Sequence, residues 1–210
     1  MNNPVMQRIH ELKLVPVIVL EDADKAAPLA EALIAGGLPC AEVTFRAAAA
    51  VQSIRNMARF DDICLGAGTV LTVDQVKAAV DAGAKYIVTP GFNPDVVGYC
   101  VANGIPITPG VATPTDIELG LKFGLEVLKF FPAEPFGGLK TLKAISAPYG
   151  MIKFIPTGGI SEANVRDYLA FDKVFACGGS WMVKKELIDA GRFDEIAALT
   201  RKAVDLVAAR

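Results

Sequence analysis

Short apolar bursts alternate along this chain with longer stretches in which apolar residues recur every three or four positions. The bursts predict strands over 16–20, 41–45, 63–67, 86–89, 106–109, 127–131, 154–157 and 174–177. The stretches between them predict helices centred on 29–34, 51–58, 73–82, 94–102, 114–123, 139–144, 162–169 and 193–208. Local punctuation agrees. Asp22, Thr72, Asn93, Thr113 and Ser161 stand where side chains cap helix starts, and Pro94 and Pro114 fit a first helical turn. Gly36, Gly83, Gly104 and Gly124 stand where helices should stop. The unit repeats about every 25 residues, the length of a βα unit. Eight such units predict an α/β protein, a parallel (β/α)8 barrel in one domain over residues 1–210. A doubly wound open sheet is the alternative, but it needs a switch in strand order and the repeat has no break. Residues 3–14 predict an extra N-terminal helix closing the bottom of the barrel.

Composition narrows the function classes. Although 52% of the residues are apolar, no run approaches the roughly 18 apolar residues of a membrane span. The N-terminus lacks the apolar core of a secretory signal. Cys40, Cys64, Cys100 and Cys177 are far apart and form no CxxC pair, which indicates neither a zinc site nor a disulfide framework and fits a reducing cytosol. A formal net charge of −2 without a long basic run argues against nucleic acid as the main partner. His10, the only histidine, lies in the N-terminal segment. A metal-dependent carbonyl chemistry relies on several histidines, so no metal is expected.

In a barrel of this kind the chemistry lies at the C-terminal ends of the strands. Lys85, Lys153 and Lys173 precede or open their strands and are expected on the opposite rim. Lys129 differs: it lies inside Val127-Leu128-Lys129-Phe130-Phe131. An unpaired ammonium there is costly, and the cost disappears if the amine is neutral. A neutral amine is the nucleophile that Schiff-base formation on a ketone requires; a lysine that snorkels to the mouth or pairs structurally is the alternative. Strand alternation puts Glu42, Thr44 and Arg46 on one face, with Val43 and Phe45 turned to the helices. Glu42 would move protons, while Arg46 would clamp a carboxylate and favour a neutral Lys129. A Glu42–Arg46 ion pair is the structural alternative.

Turns after the strands supply the remaining candidates. Gly66-Ala67-Gly68-Thr69 would let backbone approach a ligand, and Thr89-Pro90-Gly91 resembles it. Pro156-Thr157-Gly158-Gly159-Ile160-Ser161 and Cys177-Gly178-Gly179-Ser180-Trp181 follow the last two strands, where barrels bind phosphate through backbone N–H groups.

Together these motifs resemble the bacterial 2-keto-3-deoxy-6-phosphogluconate (KDPG) / 4-hydroxy-2-oxoglutarate (KHG) aldolases over nearly the full chain. The resemblance rests on Glu42-Val43-Thr44-Phe45-Arg46, Gly66-Ala67-Gly68-Thr69-Val70, Lys129-Phe130-Phe131-Pro132-Ala133-Glu134, Pro156-Thr157-Gly158-Gly159-Ile160 and Gly178-Gly179-Ser180-Trp181, in that order. It implies a class I aldolase that uses a covalent lysine and no cofactor. Lys129 would form the Schiff base and Glu42 would be the general acid/base. Arg46 and Thr69 would hold the pyruvate carboxylate, with Pro90 and Phe131 packed on the pyruvyl group. Thr157 would contact the hydroxylated chain, and Gly158, Gly159, Gly179 and Ser180 would hold phosphate. The resemblance also implies a cytoplasmic homotrimer. Phe45, Thr89 and Ala47 depart from the family's commonest residues; Ala47 removes a hydroxyl next to Arg46. Related 2-keto acids, such as a galactonate epimer or oxaloacetate, are the alternative substrates. A non-catalytic phospho-sugar-binding barrel is the reading from another class.

Overall fold

A computed structural model describes residues 3–208; residues 1, 2, 209 and 210 of the expected domain lie outside the described residues. The strands among the described residues are β1 (Leu14–Ile18), β2 (Cys40–Thr44), β3 (Cys64–Gly68), β4 (Tyr86–Val88), β5 (Ile107–Thr108), β6 (Gly110–Val111), β7 (Val127–Phe130), β8 (Lys153–Pro156) and β9 (Cys177–Gly179). The α-helices are α1 (Pro4–Leu12), α2 (Ala26–Ala35), α3 (Ala50–Met57), α4 (Val73–Asp81), α5 (Pro94–Ala102), α6 (Pro114–Lys122), α7 (Gly138–Ser146), α8 (Val165–Leu169), α9 (Lys185–Asp189) and α10 (Phe193–Ala208).

The strands form a curled α/β sheet in two pieces, in the orders β5-β4-β3-β2-β1-β9 and β6-β7-β8, and each pairing is parallel. Isolated parallel bridges Phe154↔Val174 and Thr157↔Gly178 tie β8 to the chain around β9. Parallel strands buried on both faces read as continuous apolar runs, and β2, β3 and β7 are buried at each position. Leu128 of β7 meets α6 at Gly120, where an added Cβ would stand 2.8 Å from a Leu128 methyl. That close fit places the helix layer directly on the strand that carries Lys129.

Three expected caps form. The Thr72 and Asn93 side chains accept backbone N–H groups of α4 and α5, and Thr113 with Asp116 makes a reciprocal capping box on α6. Asp22 caps a 3-10 turn, Ala23–Lys25, rather than α2 itself. Ser161 caps no helix: α8 starts at Val165, and the Ser161 N–H donates to Asn164 Oδ1. Gly83, Gly104 and Gly124 close their helices with left-handed backbones, but after α2 it is Gly37, not Gly36, that adopts positive φ.

Other expectations shift. Leu14 opens β1 instead of ending the first helix. The strand expected over 106–109 splits at Pro109, with β5 paired to β4 and β6 to β7. Proline has no N–H for a ladder, although its carbonyl accepts from Lys129 N at 2.9 Å. The last strand runs later than expected, so Gly178 and Gly179 pair with Val15 and Pro16 instead of standing in a loop. Thr157 and Phe131 fall just beyond β8 and β7.

Candidate active site

Alternation along β2 turns Glu42 and Thr44 to the face expected. Both are buried, Glu42 at 3% exposure. Thr44 Oγ1 donates to the Ile18 carbonyl at 2.8 Å, which fixes β2 to β1 above Glu42. Lys129 projects from β7 with 5% exposure, and its Nζ donates to Glu42 Oε1 at 3.4 Å. The same Nζ stands 4.9 Å from the Phe131 ring centre, within cation–π range. The expected lysine–carboxylate pair therefore meets inside the sheet, from β2 and β7. Lys129 does not snorkel to the mouth; it has a carboxylate partner beside its apolar neighbours. A contact this close gives the ammonium a local acceptor for its proton, the step that frees a nucleophilic amine.

Arg46 does not join this pair. It is exposed, and its Nε donates to Thr44 Oγ1 at 3.3 Å. Among the described residues it makes no ion pair with Glu42, so that structural alternative falls. Arg46 instead lines a cavity of about 310 Å³ with Ser180, Trp181 and Lys184. Its cations suit an anionic group. Lys184 had no part in the sequence expectations, and its place after the Gly-Gly-Ser segment was the only available signal.

The two glycines of the Gly66-Ala67-Gly68 turn have a role other than the one expected. Both are residues of β3. A Cβ on Gly66 would stand 2.2 Å from the Tyr86 ring, and one on Gly68 would stand 2.2 Å from Glu42 Oε1. They admit side chains of this protein rather than a ligand. Tyr86, unmarked in the sequence, lies buried below Glu42, and its hydroxyl donates to the Ala41 carbonyl at 3.1 Å. Burial, with nearby Cys40, Cys64 and Glu42, pushes the Tyr86 phenol up, keeping it a neutral donor. Thr69 follows at φ 56°, a left-handed backbone for a threonine. Such a conformation costs on the order of 1 kcal/mol and is found where surroundings impose it, functional sites included.

Pro90 and Phe131 come together around a small cavity of about 120 Å³ with Phe92 and Gly110. Thr89 Oγ1 donates to the Gly91 carbonyl at 2.7 Å and holds that turn. Thr157 is buried; a Cβ on Gly178 would stand 2.4 Å from its Oγ1, and one on Gly179 would stand 2.1 Å from the Trp181 ring. Gly158 and Gly159 adopt φ 96° and 84°, accessible to glycine without strain. Glu134 supports their turn: its N–H donates to the Gly158 carbonyl at 3.0 Å, and its Oε1 accepts from Tyr168. That latch was not anticipated either. Burial and the Glu134 contact push the Tyr168 phenol up, so it remains a donor. Among the described residues no cluster of His, Cys, Asp or Glu is arranged to hold a metal ion, and no helix is long and apolar enough to cross a membrane.

Comparison with known proteins joins this geometry to a family. A family model described as "KDPG and KHG aldolase" matches residues 5–199. A 2-dehydro-3-deoxy-phosphogluconate aldolase of Treponema pallidum is 47% identical, covering 97% of each chain. A KHG/KDPG aldolase of Escherichia coli K12 is 44% identical, covering 91% of each. Among solved structures, the KDPG aldolase of Legionella pneumophila, with pyruvate captured as a covalent carbinolamine intermediate, is 37% identical with a TM-score of 0.92, covering 96% of this chain and 98% of that one. With a family model over most of its length and relatives this similar, the chain belongs to the KDPG and KHG aldolase family.

Proposed function

We propose that the protein is a class I aldolase that cleaves 2-keto-3-deoxy-6-phosphogluconate to pyruvate and glyceraldehyde 3-phosphate through a Schiff base on Lys129. The observation that carries this reading is the buried Lys129–Glu42 pair at 3.4 Å. Breaking one partner of a buried ion pair is costly and keeping the pair adds little stability, so a reactive role explains its retention better than a structural one. The pyruvate carbinolamine captured in the Legionella pneumophila relative supports a covalent route.

The cycle follows from proton balance. The Lys129 ammonium gives a proton to Glu42, and the neutral amine adds to the C2 ketone. Glu42 returns that proton as water leaves, producing the iminium. Glu42, ionised again, takes the C4 hydroxyl proton. The C3–C4 bond breaks, its electrons pass into the iminium, and glyceraldehyde 3-phosphate departs. Protonated Glu42 delivers the proton to the enamine carbon, and water releases pyruvate and regenerates Lys129. A positioned acid/base of this kind contributes about 10²–10⁴-fold.

The remaining roles belong to the same proposal. Arg46 and Thr69 hold the pyruvate carboxylate, Pro90 and Phe131 pack on the pyruvyl group, and Thr157 meets the hydroxylated chain. Gly158, Gly159, Gly179 and Ser180 hold the phosphate, whose remote binding energy orients the scissile bond. No metal or organic cofactor takes part. The same site also cleaves 4-hydroxy-2-oxoglutarate to pyruvate and glyoxylate, a reading favoured by the double name of the Escherichia coli relative. We further propose closure of the sheet into a (β/α)8 barrel, with β5 and β6 as one strand position and α1 across the bottom, in one domain over residues 1–210. The two parallel bridges that cross from β8 to the chain around β9 support closure. Following the family, the subunits form a cytoplasmic homotrimer.

A coupled assay for pyruvate release tests the activity. The phosphorylated acid should give the higher kcat/KM and 4-hydroxy-2-oxoglutarate a lower one. Binding without pyruvate release would reject the reading in favour of a non-catalytic barrel.

A further inference from the structure

Gly66 and Gly68 lie on one face of β3, two residues apart, next to β2 in the register Glu42↔Gly66 and Thr44↔Gly68. Neither has a positive φ. Backbone conformation therefore does not demand glycine at either position; space does. At Gly66 the space is filled by the Tyr86 ring, whose nearest atoms would stand 2.2, 2.3 and 2.5 Å from an added Cβ. At Gly68 it is filled by Glu42, whose Oε1, Cγ and Cδ would stand 2.2, 2.7 and 2.8 Å away. Side-chain Cβ atoms do not approach other heavy atoms this closely, so a methyl at Gly68 must displace the carboxylate.

The neighbouring contacts leave Glu42 little room to move. The floor is taken by Tyr86, which is bonded to the Ala41 carbonyl. The β2 backbone is held on one side by Thr44 to Ile18 and on the other by Phe45 N to the Gly68 carbonyl at 2.8 Å. The free face of Gly68 is then the groove in which the carboxylate lies while it accepts from Lys129.

We infer that Gly68 is a positioning residue: its bare Cα is a groove that aligns the Glu42 carboxylate with Lys129 for proton transfer. The inference rests on the proposal that Lys129 and Glu42 are the covalent and proton-carrying groups. It concerns alignment and leaves the nucleophile in place. Glu42 carries protons both in iminium formation and in aldol cleavage, so misalignment should slow both steps while leaving the site of covalent attachment on Lys129 unchanged.

The test compares Gly68→Ala, Glu42→Gln and the double variant with the wild-type enzyme, reading kcat, KM and the pyruvate–borohydride adduct on Lys129. Gly68→Ala should still carry the adduct on Lys129 after long incubation, formed more slowly, and keep its KM while kcat falls about 100-fold, the loss that follows a misplacement of about 1 Å. Glu42→Gln should cost much less in the Gly68→Ala background than in the wild type, because the carboxylate is already misaligned. Wild-type kcat in Gly68→Ala, or fully additive losses, would overturn the inference. If Gly68→Ala does not fold, Gly68→Ala with Glu42→Asp decides: the shorter carboxylate should restore folding, and failure of both would locate the clash elsewhere and overturn the inference. A wild-type enzyme that makes neither adduct nor pyruvate would instead reject the aldolase reading itself, and this inference with it.

Discussion

Lys129 and Lys153 occupy neighbouring strands, two rungs apart. Lys153 opens β8 opposite Val127, and Lys129 stands opposite Ile155. Lys153 Nζ turns to the rim and donates to the Asp172 carbonyl at 2.8 Å. Lys173 likewise donates to the Ser146 and Tyr149 carbonyls, and Lys85 to the Ile63 carbonyl. These three lysines satisfy backbone acceptors at the end where the strands begin. Lys129 alone among the four reaches a buried carboxylate and an aromatic face. The difference comes from position along the strand rather than from residue type. One rim contact ties loops together, whereas two rungs deeper the same side chain meets a buried carboxylate that can accept its proton.

The contrast can be broken at its strongest point first. Lys129→Ala should lower kcat by on the order of 10⁴-fold or more, as loss of a covalent nucleophile does. Lys153→Ala should change it by less than about twofold, as expected for a surface substitution away from the chemistry. Comparable losses in the steady-state rates of the two variants would erase the distinction. A smaller effect sharpens the other side. Lys173→Met keeps the stem and removes the donors to two carbonyls, so urea unfolding should show stability reduced by about 1–2 kcal/mol. Its kcat should remain that of the wild type; a tenfold fall would mean that the rim lysines reach the active site.

The Lys129–Glu42 pair was legible because strand alternation and a charge inside an apolar strand are both local properties. Once 41–45 is taken as a strand, Glu42 turns off the helix side, while Lys129 stands out as a charge inside the apolar strand 127–131, and the two meet. Thr72, Asn93 and Thr113 were legible for the same reason, since a cap depends on residues within one turn. Features set by distant packing were not. Gly66 and Gly68 look like turn glycines in one dimension, and only the Tyr86 ring and Glu42 carboxylate reveal them as slots. The Gly178-Gly179 pair reads as a loop, yet the chain there pairs with β1 and makes room for Thr157 and Trp181. Arg46 follows the alternation but lies past the end of β2, where its long side chain is free to swing toward Ser180. Helix α9 is five residues long and has no capping side-chain bond, so it left no signal to read.

Peptide mapping after borohydride reduction in the presence of pyruvate measures the claim on which these differences depend. Assignment of the Schiff base to Lys129 requires one stable pyruvate-derived mass increment, carried by the peptide containing Lys129, with Lys85, Lys153 and Lys173 unlabelled. An increment on one of those rim lysines, or none anywhere, would contradict it.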